Sequence, residues 1–235
     1  LRESDNYSTA ILKYETFQEK YPEISQTLNI PQLILETQLE WGKHLAQQGE
    51  FSQALEIFTE IIELAVEPEE IEAAETGYQN TLLGLSNDTG SEGQQIISDA
   101  FKTACNREPA ASPAVGIADD EPARGRSCSS EIKLDKDQIA EYPGHFKYVF
   151  FLSDGTETVQ SCPFEQGHTL IRQRQYLLVT VRKTSTGGVY STKKLYGSEP
   201  PKCEQTEWFY GPTAYKTGSK PSISEVNIWL NGFLR

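Results

Sequence analysis

Residues 40–68, EWGKHLAQQGEFSQALEIFTEIIELAVEP, carry the pattern that most restricts how this chain can fold. The stretch predicts two short amphipathic helices joined at Gly49, because a residue without a Cβ readily adopts the left-handed turn that ends a helix. Ala54, Phe58 and Ile61 follow at i, i+4 and i+7, which places them on one face of the second helix. The sequence therefore predicts a helical hairpin whose apolar face needs a neighbour.

The same three offsets occur before and after this hairpin. Stripes that begin at positions 10, 54 and 97 lie 44 and 43 residues apart, and their flanking members are Ala10, Tyr14, Phe17, Ile97, Phe101 and Ala104. A fixed period of this size predicts stacked helical repeats, because each repeat buries its apolar face against the next one. With the helices predicted between these stripes, the first half holds five helices.

The first half resembles a known repeat family. Six residues lie close to the spacing of that family's motif: Trp41, Gly42, Leu45, Gly49, Ala54 and Phe58. Over residues 8–105 the chain resembles the tetratricopeptide repeat, in the form of bacterial cell-envelope members, although its period is about ten residues longer than usual. The resemblance implies a scaffold for protein–protein contacts, and a plain helical bundle without a binding groove is the alternative. The second half resembles no family that we identify.

Charge divides the chain unevenly. Residues 1–110 contain 20 acidic and 6 basic residues, a net charge of −14, whereas residues 111–235 contain 14 acidic and 15 basic residues, a net charge of +1. This asymmetry indicates two units with different surfaces. A phosphate backbone would be repelled by the acidic half, so we expect no nucleic-acid partner.

Composition changes again between residues 107 and 130. Ala, Pro, Gly, Ser and charged residues dominate this segment, which predicts a mostly extended linker. The predicted organisation is a helical repeat domain over 1–106, the linker over 107–130, and a β domain over 131–235.

The second half changes from helical to alternating periodicity. Predicted strands cover residues 145–152, 169–183 and 189–195, with a short one near 208–210, and Asp154-Gly155 predicts a hairpin turn after the first. The chain ends in a predicted helix that opens at Ser222 and closes over the sheet. We therefore expect an α+β chain whose second domain is an antiparallel β-sandwich with a C-terminal helix.

Four cysteines are spread along the chain without a CxxC pair. This spacing favours disulfides formed in an oxidising compartment over a metal site, with four reduced cysteines as the alternative. Four cysteines allow three pairings, and we favour one pair within the second half and one across the linker. The favoured pairs are Cys162 with Cys203 and Cys105 with Cys128.

Sequence motifs for catalysis are missing. None of the three histidines lies in a metal-binding motif, and the chain has no phosphate-binding loop and no nucleophile elbow. We therefore expect a protein that is not an enzyme, without catalytic, cofactor-binding or metal-binding residues. Aromatic side chains remain as candidate contacts for a partner or a glycan, because they bury large areas while keeping a polar edge. These candidates are Trp41, Tyr78, Tyr190, Tyr196, Trp208 and Tyr210.

The expected function is a protein–protein interaction scaffold of the cell envelope or extracellular space, with the β domain as a second binding or assembly module. The alternatives are a carbohydrate-binding or hydrolase-associated module, and a self-assembling subunit of a surface filament or layer. Because the chain contains no methionine, we expect a processed product or an excised fragment, and a membrane anchor in a preceding region remains open. No apolar run in this portion reaches the roughly 20 residues of a transmembrane helix.

Overall fold

The computed structural model describes residues 3–118, 124–204, 208 and 210–234. They form two compact units, and the α+β class predicted from sequence is confirmed. The first unit comprises Leu1–Ile96 with Tyr142–Gly144, and the second comprises Ile97–Glu141 with His145–Arg235. The first unit thus ends ten residues before the boundary predicted at residue 106.

Helices account for the regular structure before residue 106. Their bounds are α1 (Glu3–Lys20), α2 (Pro22–Thr27), α3 (Ile30–Gln48), α4 (Phe51–Leu64), α5 (Pro68–Ser86) and α6 (Ser91–Cys105). Five of them match predicted helices, and α2 is an addition. It begins at Pro22, because proline cannot continue the hydrogen-bond ladder of α1 but fits the first turn of a new helix.

Short connections make consecutive helices neighbours. Gly49 ends α3 in the left-handed conformation, with φ at 81° and its N–H donating to the carbonyl oxygen of Ala46 at 3.2 Å. Since α4 starts two residues later, α3 and α4 run antiparallel. Their buried apolar side chains form one cluster with α5, made of Leu45, Ala54, Ile57, Phe58, Ile61 and Ala74. This packing of helix on helix is compatible with the predicted helical repeats.

Five strands form the sheet of the second unit. Their bounds are β1 (Arg124–Ser127), β2 (Phe146–Pro163), β3 (Thr169–Lys183), β4 (Val189–Tyr196) and β5 (Thr213–Thr217). The order is β1-β2-β3-β4, and β5 pairs with β3. β2–β3 and β3–β4 are antiparallel, whereas β1–β2 and β3–β5 are parallel.

The predicted antiparallel sandwich is wrong, because the strands that the structure describes form a single mixed sheet. Its apolar face is covered by a helix, α7 (Ile223–Phe233), instead of a second sheet. Val226 and Leu230 of α7 are buried together with Leu177, Val179 and Val181 of β3. The helix predicted at the C-terminus is therefore confirmed, and it closes the core of the sheet unit.

The hairpin turn predicted at Asp154-Gly155 is also wrong. β2 continues through both residues for 18 residues, and Gly155 lies opposite Tyr176 of β3. A long partner strand satisfies the backbone groups of β2 along its length, and this pairing outweighs the local turn preference. The chain reverses instead just before β3, where Gln166 and Gly167 have φ values of 66° and 80°.

The structure differs from the extended linker predicted over 107–130. Ala114 and Val115 are buried, and β1 pairs in parallel with the start of β2. A four-residue strand of sequence RGRS shows no apolar alternation, so only its pairing with β2 makes it a strand.

Both favoured disulfides are confirmed. Cys105 is bonded to Cys128, with 5.7 Å between their Cα atoms, and Cys162 is bonded to Cys203, with 6.6 Å between theirs. Within the described residues, no helix has the length and apolar character that a membrane span requires.

Candidate functional site

A groove of about 710 Å³ lies in the helical unit between α3 and α5. α4 contributes the aromatic residues of its floor, α3 one wall and α5 the other. The lining residues are Lys43, Ala46, Gln47, Phe51, Phe58, Glu69, Glu72, Ala73, Thr76, Gly77, Asn80, Thr81 and Gly84. Its volume falls within the range of about 300–1,000 Å³ that is typical of binding pockets.

The floor of the groove depends on two glycines that flank Phe58. A Cβ atom on Gly42 of α3 would lie 2.9 Å from the Phe58 ring, and a Cβ on Gly77 of α5 would lie 2.5 Å from it. Real Cβ atoms do not come this close to a ring carbon. The missing side chains therefore let the buried ring lie in contact with the backbones of both helices.

The second aromatic residue of the floor, Phe51, is fixed from two sides. A Cβ on Gly84 would lie 2.8 Å from its ring, so α5 also approaches this ring at a glycine. The carboxylate of Glu92 on α6 accepts hydrogen bonds from the backbone N–H groups of Phe51, at 3.2 Å, and Ser52, at 2.8 Å. A negative charge at a helix N-terminus satisfies unpaired donors and complements the helix dipole. Glu92 therefore holds the start of α4, and with it the floor.

Polar side chains surround this floor. Glu69 and Glu72 stand on the α5 wall, and Lys43 stands on the α3 wall. The hydroxyl of Thr81 donates to the carbonyl oxygen of Gly77 at 2.8 Å, so its hydrogen bond stays within α5. The lining described here contains no histidine or cysteine. An apolar floor below an acidic wall is suited to binding, with charge to orient what is bound.

A second depression, of about 740 Å³, lies between α4 and α5. It shares Glu72, Thr76 and Asn80 with the groove, and these residues are spaced by four along α5. Residues with this spacing lie on one face of a helix. They form a polar ridge that separates the two depressions.

No protein-family model, curated protein or solved structure matches this chain. Among the described residues, no group of three or more His, Cys, Asp or Glu side chains is arranged to hold a metal ion.

The two candidate aromatics of the helical half lie beside the groove and do not line it. Trp41 is half-buried against the helical core, and it lines a separate depression of about 380 Å³ with Leu12 and other residues of α1. Tyr78 packs against the same core and lines the second depression, which lies between α4 and α5. The structure therefore places them in two different depressions.

Tyr196 belongs to a network of paired charges on the sheet. Its hydroxyl donates to the carboxylate of Glu157 at 3.0 Å, and Lys194 forms an ion pair with the same carboxylate. The hydrogen bond from Lys194, followed by that from Tyr196, lowers the pKa of Glu157, and the reciprocal bond raises the pKa of Lys194. Arg174 lies 4.8 Å from the Tyr196 ring centroid and pairs with Glu199 at 2.9 Å. These cations are neutralised within the chain, and the network links β2, β3 and β4.

The other three candidates are more exposed. Tyr190, at the opposite end of β4 from Tyr196, is 51% exposed, and its ring centroid lies 5.1 Å from that of Tyr148. Trp208 and Tyr210 follow the Cys162–Cys203 bridge in the chain and are almost fully exposed, outside any strand. The structure does not bring these three residues together into one site.

Sequence analysis missed the residues that shape the groove, chiefly Phe51, Ala73, Gly77 and Gly84. One signal for them is present in the sequence: residues 73, 77 and 84 are small and fall on one face of α5, while residues 51 and 58 are phenylalanines spaced by seven on α4. Small residues on one face of a helix allow a neighbouring helix to approach closely. The small residues of α5 and the phenylalanines of α4 each share a face of their helix, and this pattern predicts contact between those two faces.

Proposed function

We propose that this chain is a non-enzymatic interaction scaffold of the extracellular space or cell envelope, whose helical unit binds a segment of a partner protein. The partner segment would lie in the groove between α3 and α5. The observation that supports this proposal is the groove itself, with Phe51 and Phe58 as its floor. A preformed groove of this kind binds without paying for a large rearrangement.

The repeat pattern supports the same proposal. Stripes recur about every 44 residues in the sequence, and α3, α4 and α5 pack consecutively around one buried cluster. A tetratricopeptide-like scaffold of this kind presents extended surfaces formed by neighbouring repeats. The groove spans two consecutive helical hairpins, since α3 belongs to one and α5 opens the next.

Charge indicates which segments would bind. Glu69 and Glu72 line the α5 wall, and residues 1–110 carry a net charge of −14. A basic partner would be attracted over a distance and would then pair with these carboxylates. An apolar side chain of the same segment would contact the half-buried ring of Phe51, which lies next to the fully buried Phe58 on the floor. Lys43, the single cation of the lining, would fix the direction of the segment.

The two disulfides support an oxidising location, and the separate fold of the second unit supports a second module. Two disulfides are typical of secreted and cell-surface proteins, whereas cytosolic thiols are kept reduced. In this proposal, the sheet unit acts as a second binding or assembly module in addition to the helical unit.

Peptide selection tests the groove. Random peptides displayed on phage would be selected on the full chain, and the affinity of the enriched peptides would be measured by calorimetry. We expect peptides that combine basic and apolar residues. Ala73→Arg fills the groove and Glu72→Lys reverses charge on its wall, so each should weaken binding by about tenfold or more.

Glu63→Lys is the matched control, because Glu63 is exposed on α4 and lines neither depression. It makes the same change in net charge as Glu72→Lys and should leave peptide affinity unchanged. Equal affinity of all three variants and the wild type would contradict the proposal.

A further inference from the structure

We propose that the outer edge of β4, in the sheet unit, binds an extended acidic segment of a partner protein as an additional strand. β4 is the last strand in the order β1-β2-β3-β4, and within the described residues it pairs with β3 alone. An edge strand presents backbone N–H and C=O groups that can pair with another chain. This proposal goes beyond the groove of the helical unit and does not depend on it.

The register of the sheet identifies the backbone groups that point outward. The N–H of Gly197 donates to the carbonyl oxygen of Gln175 at 2.9 Å and so continues the ladder between β3 and β4. Hydrogen-bonded and non-hydrogen-bonded pairs alternate along an antiparallel ladder. Every second residue of β4, counted back from Gly197, therefore points its backbone groups toward β3. The residues between them, Thr192, Lys194 and Tyr196, point theirs away from the sheet.

The surroundings of β4 leave this edge accessible. Successive residues of a strand point to opposite faces of the sheet, yet Thr192, Lys193 and Lys194 are all exposed. The middle of β4 is therefore covered on neither face. For the part of the chain that the structure describes, no hydrogen bond joins the backbone of Thr192, Lys194 or Tyr196 to a segment on the outer side of β4.

Charge indicates which strand would bind. β4 has the sequence VYSTKKLY, with two lysines and no acidic residue. Lys194 is paired with Glu157, whereas no ion pair between described residues involves Lys193. Lysines on an edge oppose pairing with a like-charged strand, and a second copy of β4 would bring four of them to one seam. An acidic side chain opposite Lys193 would instead form a cross-strand ion pair.

The neighbouring side chains define the sequence of the bound segment further. Residues directly opposite each other in adjacent strands lie on the same face, and so do residues two positions apart in one strand. Leu195 lies two positions after Lys193 and is half-buried against the core below α7. An apolar side chain opposite Leu195 would cover its exposed part. We therefore expect a segment in which an acidic and an apolar residue are separated by one residue.

Peptide selection combined with a backbone variant tests the edge. Random nine-residue peptides displayed on phage would be selected on the full chain carrying Ala73→Arg, which fills the groove, and affinities would be measured by calorimetry. Thr192→Pro removes an outward N–H and keeps the hydrogen bonds to β3, because proline is tolerated in an edge strand at such a position. It should weaken peptide binding about tenfold or more without changing the far-UV circular dichroism. Thr192→Ala keeps the N–H and should leave the affinity unchanged.

Hydrogen exchange followed by NMR locates the bound peptide. The amides of Thr192, Lys194 and Tyr196 should exchange rapidly in the free chain and slowly in the presence of a selected peptide. The amides of Lys193 and Leu195 donate toward β3, so they should be protected in both states. This alternation distinguishes an added strand from a peptide that contacts side chains only.

Charge reversal tests the choice of an acidic segment. Lys193→Glu should weaken binding about tenfold or more, whereas Lys133→Glu, at an exposed position of the same unit outside β4, should leave it unchanged. Chains with and without Ala73→Arg should bind the selected peptides equally, which separates this site from the groove.

Several results would overturn the proposal. These are the enrichment of no peptide, an unchanged affinity in Thr192→Pro or Lys193→Glu, and outward amides that stay unprotected in the complex. A dimer of the unmodified chain in analytical ultracentrifugation that Thr192→Pro abolishes would also overturn it, because a second copy would then occupy the edge.

Discussion

Replacing Gly77 by alanine tests whether the contact between α5 and the Phe58 ring shapes the groove. The new Cβ would lie 2.5 Å from Cε1 and 2.6 Å from Cζ of Phe58. The ring has no exposed surface, so it cannot move outward to make room. We therefore expect α3, α4 and α5 to shift apart, with a loss of both stability and peptide affinity.

The magnitude follows from two opposing effects. Overpacking a buried site costs about 1–3 kcal/mol, whereas alanine is favoured over glycine in a helix by about 0.8–1.0 kcal/mol. Because a Cβ atom 2.5 Å from a ring carbon is a severe overlap, we take the upper part of the overpacking range, about 2–3 kcal/mol, and the expected net loss for Gly77→Ala is then about 1–2 kcal/mol. In a domain of 60–100 residues, each kcal/mol lowers Tm by about 4–8 °C.

Urea unfolding followed by far-UV circular dichroism measures this loss. Gly232→Ala in α7 is the matched control, because nothing lies within 4 Å of a Cβ at that position. It should stabilise α7 by up to about 1 kcal/mol. Phe58→Leu should cost less in the Gly77→Ala background than in the wild type, since the smaller side chain leaves room for the added methyl. A Gly77→Ala variant as stable as the wild type would refute the role of this contact.

Three further variants test the remaining parts of the account. Glu92→Ala removes the carboxylate at the start of α4, and we expect a loss of about 1 kcal/mol in urea unfolding. The lowered pKa of Glu157 means that its pairing with Lys194 stabilises the fold above the ordinary glutamate pKa and is lost as pH falls through the lowered value. The stability difference between the wild type and Glu157→Gln, measured by urea unfolding, should therefore vanish in acid. Replacing Cys162 and Cys203 by serine opens a bridge between residues 41 positions apart, and the sheet unit should lose about 4 kcal/mol on the chain-entropy scale.

Each of these variants has a result that would count against it. Glu63→Ala, on the exposed face of α4, should leave the free energy of unfolding unchanged. If Glu92→Ala also leaves it unchanged, Glu92 does not stabilise the start of α4. A stability difference between the wild type and Glu157→Gln that grows as the pH falls would contradict the expected pH dependence. Unchanged unfolding of the double serine variant, with far-UV signal retained, would show that the bridge adds no stability.

Much of the helical half could be predicted from the sequence because its determinants are local. Gly49 ends α3 as its backbone freedom predicts, and the stripe of Ala54, Phe58 and Ile61 is buried as its spacing predicts. The cysteine pairing was not fixed by the sequence, since four cysteines allow three pairings, and the favoured one of the three is confirmed.

The sheet was harder to predict because pairing between distant strands decides it. Asp154-Gly155 has the sequence of a turn, yet the long partner strand β3 keeps β2 extended through it. β1 contains only polar residues and glycine, so its pairing with β2 leaves no alternation in the sequence. Parallel pairing of β5 with β3, which excludes a purely antiparallel sheet, has no local signature either.

The groove could not be predicted for the same reason. Its shape depends on Gly42 and Gly77 both lying against one ring, and these residues are 35 positions apart. Helical periodicity identifies the face on which each glycine lies, but it does not identify the side chain that fills the space.

Photo-crosslinking tests the central claim most directly, that a partner segment lies in the groove between α3 and α5. A benzophenone amino acid would replace Thr76, on the ridge of α5, in one variant and Glu63 in another, and each would be irradiated with a selected peptide. The account predicts that the peptide is crosslinked to the Thr76 variant and not to the Glu63 variant. Crosslinking at Glu63 alone, or equally at both positions, would contradict it.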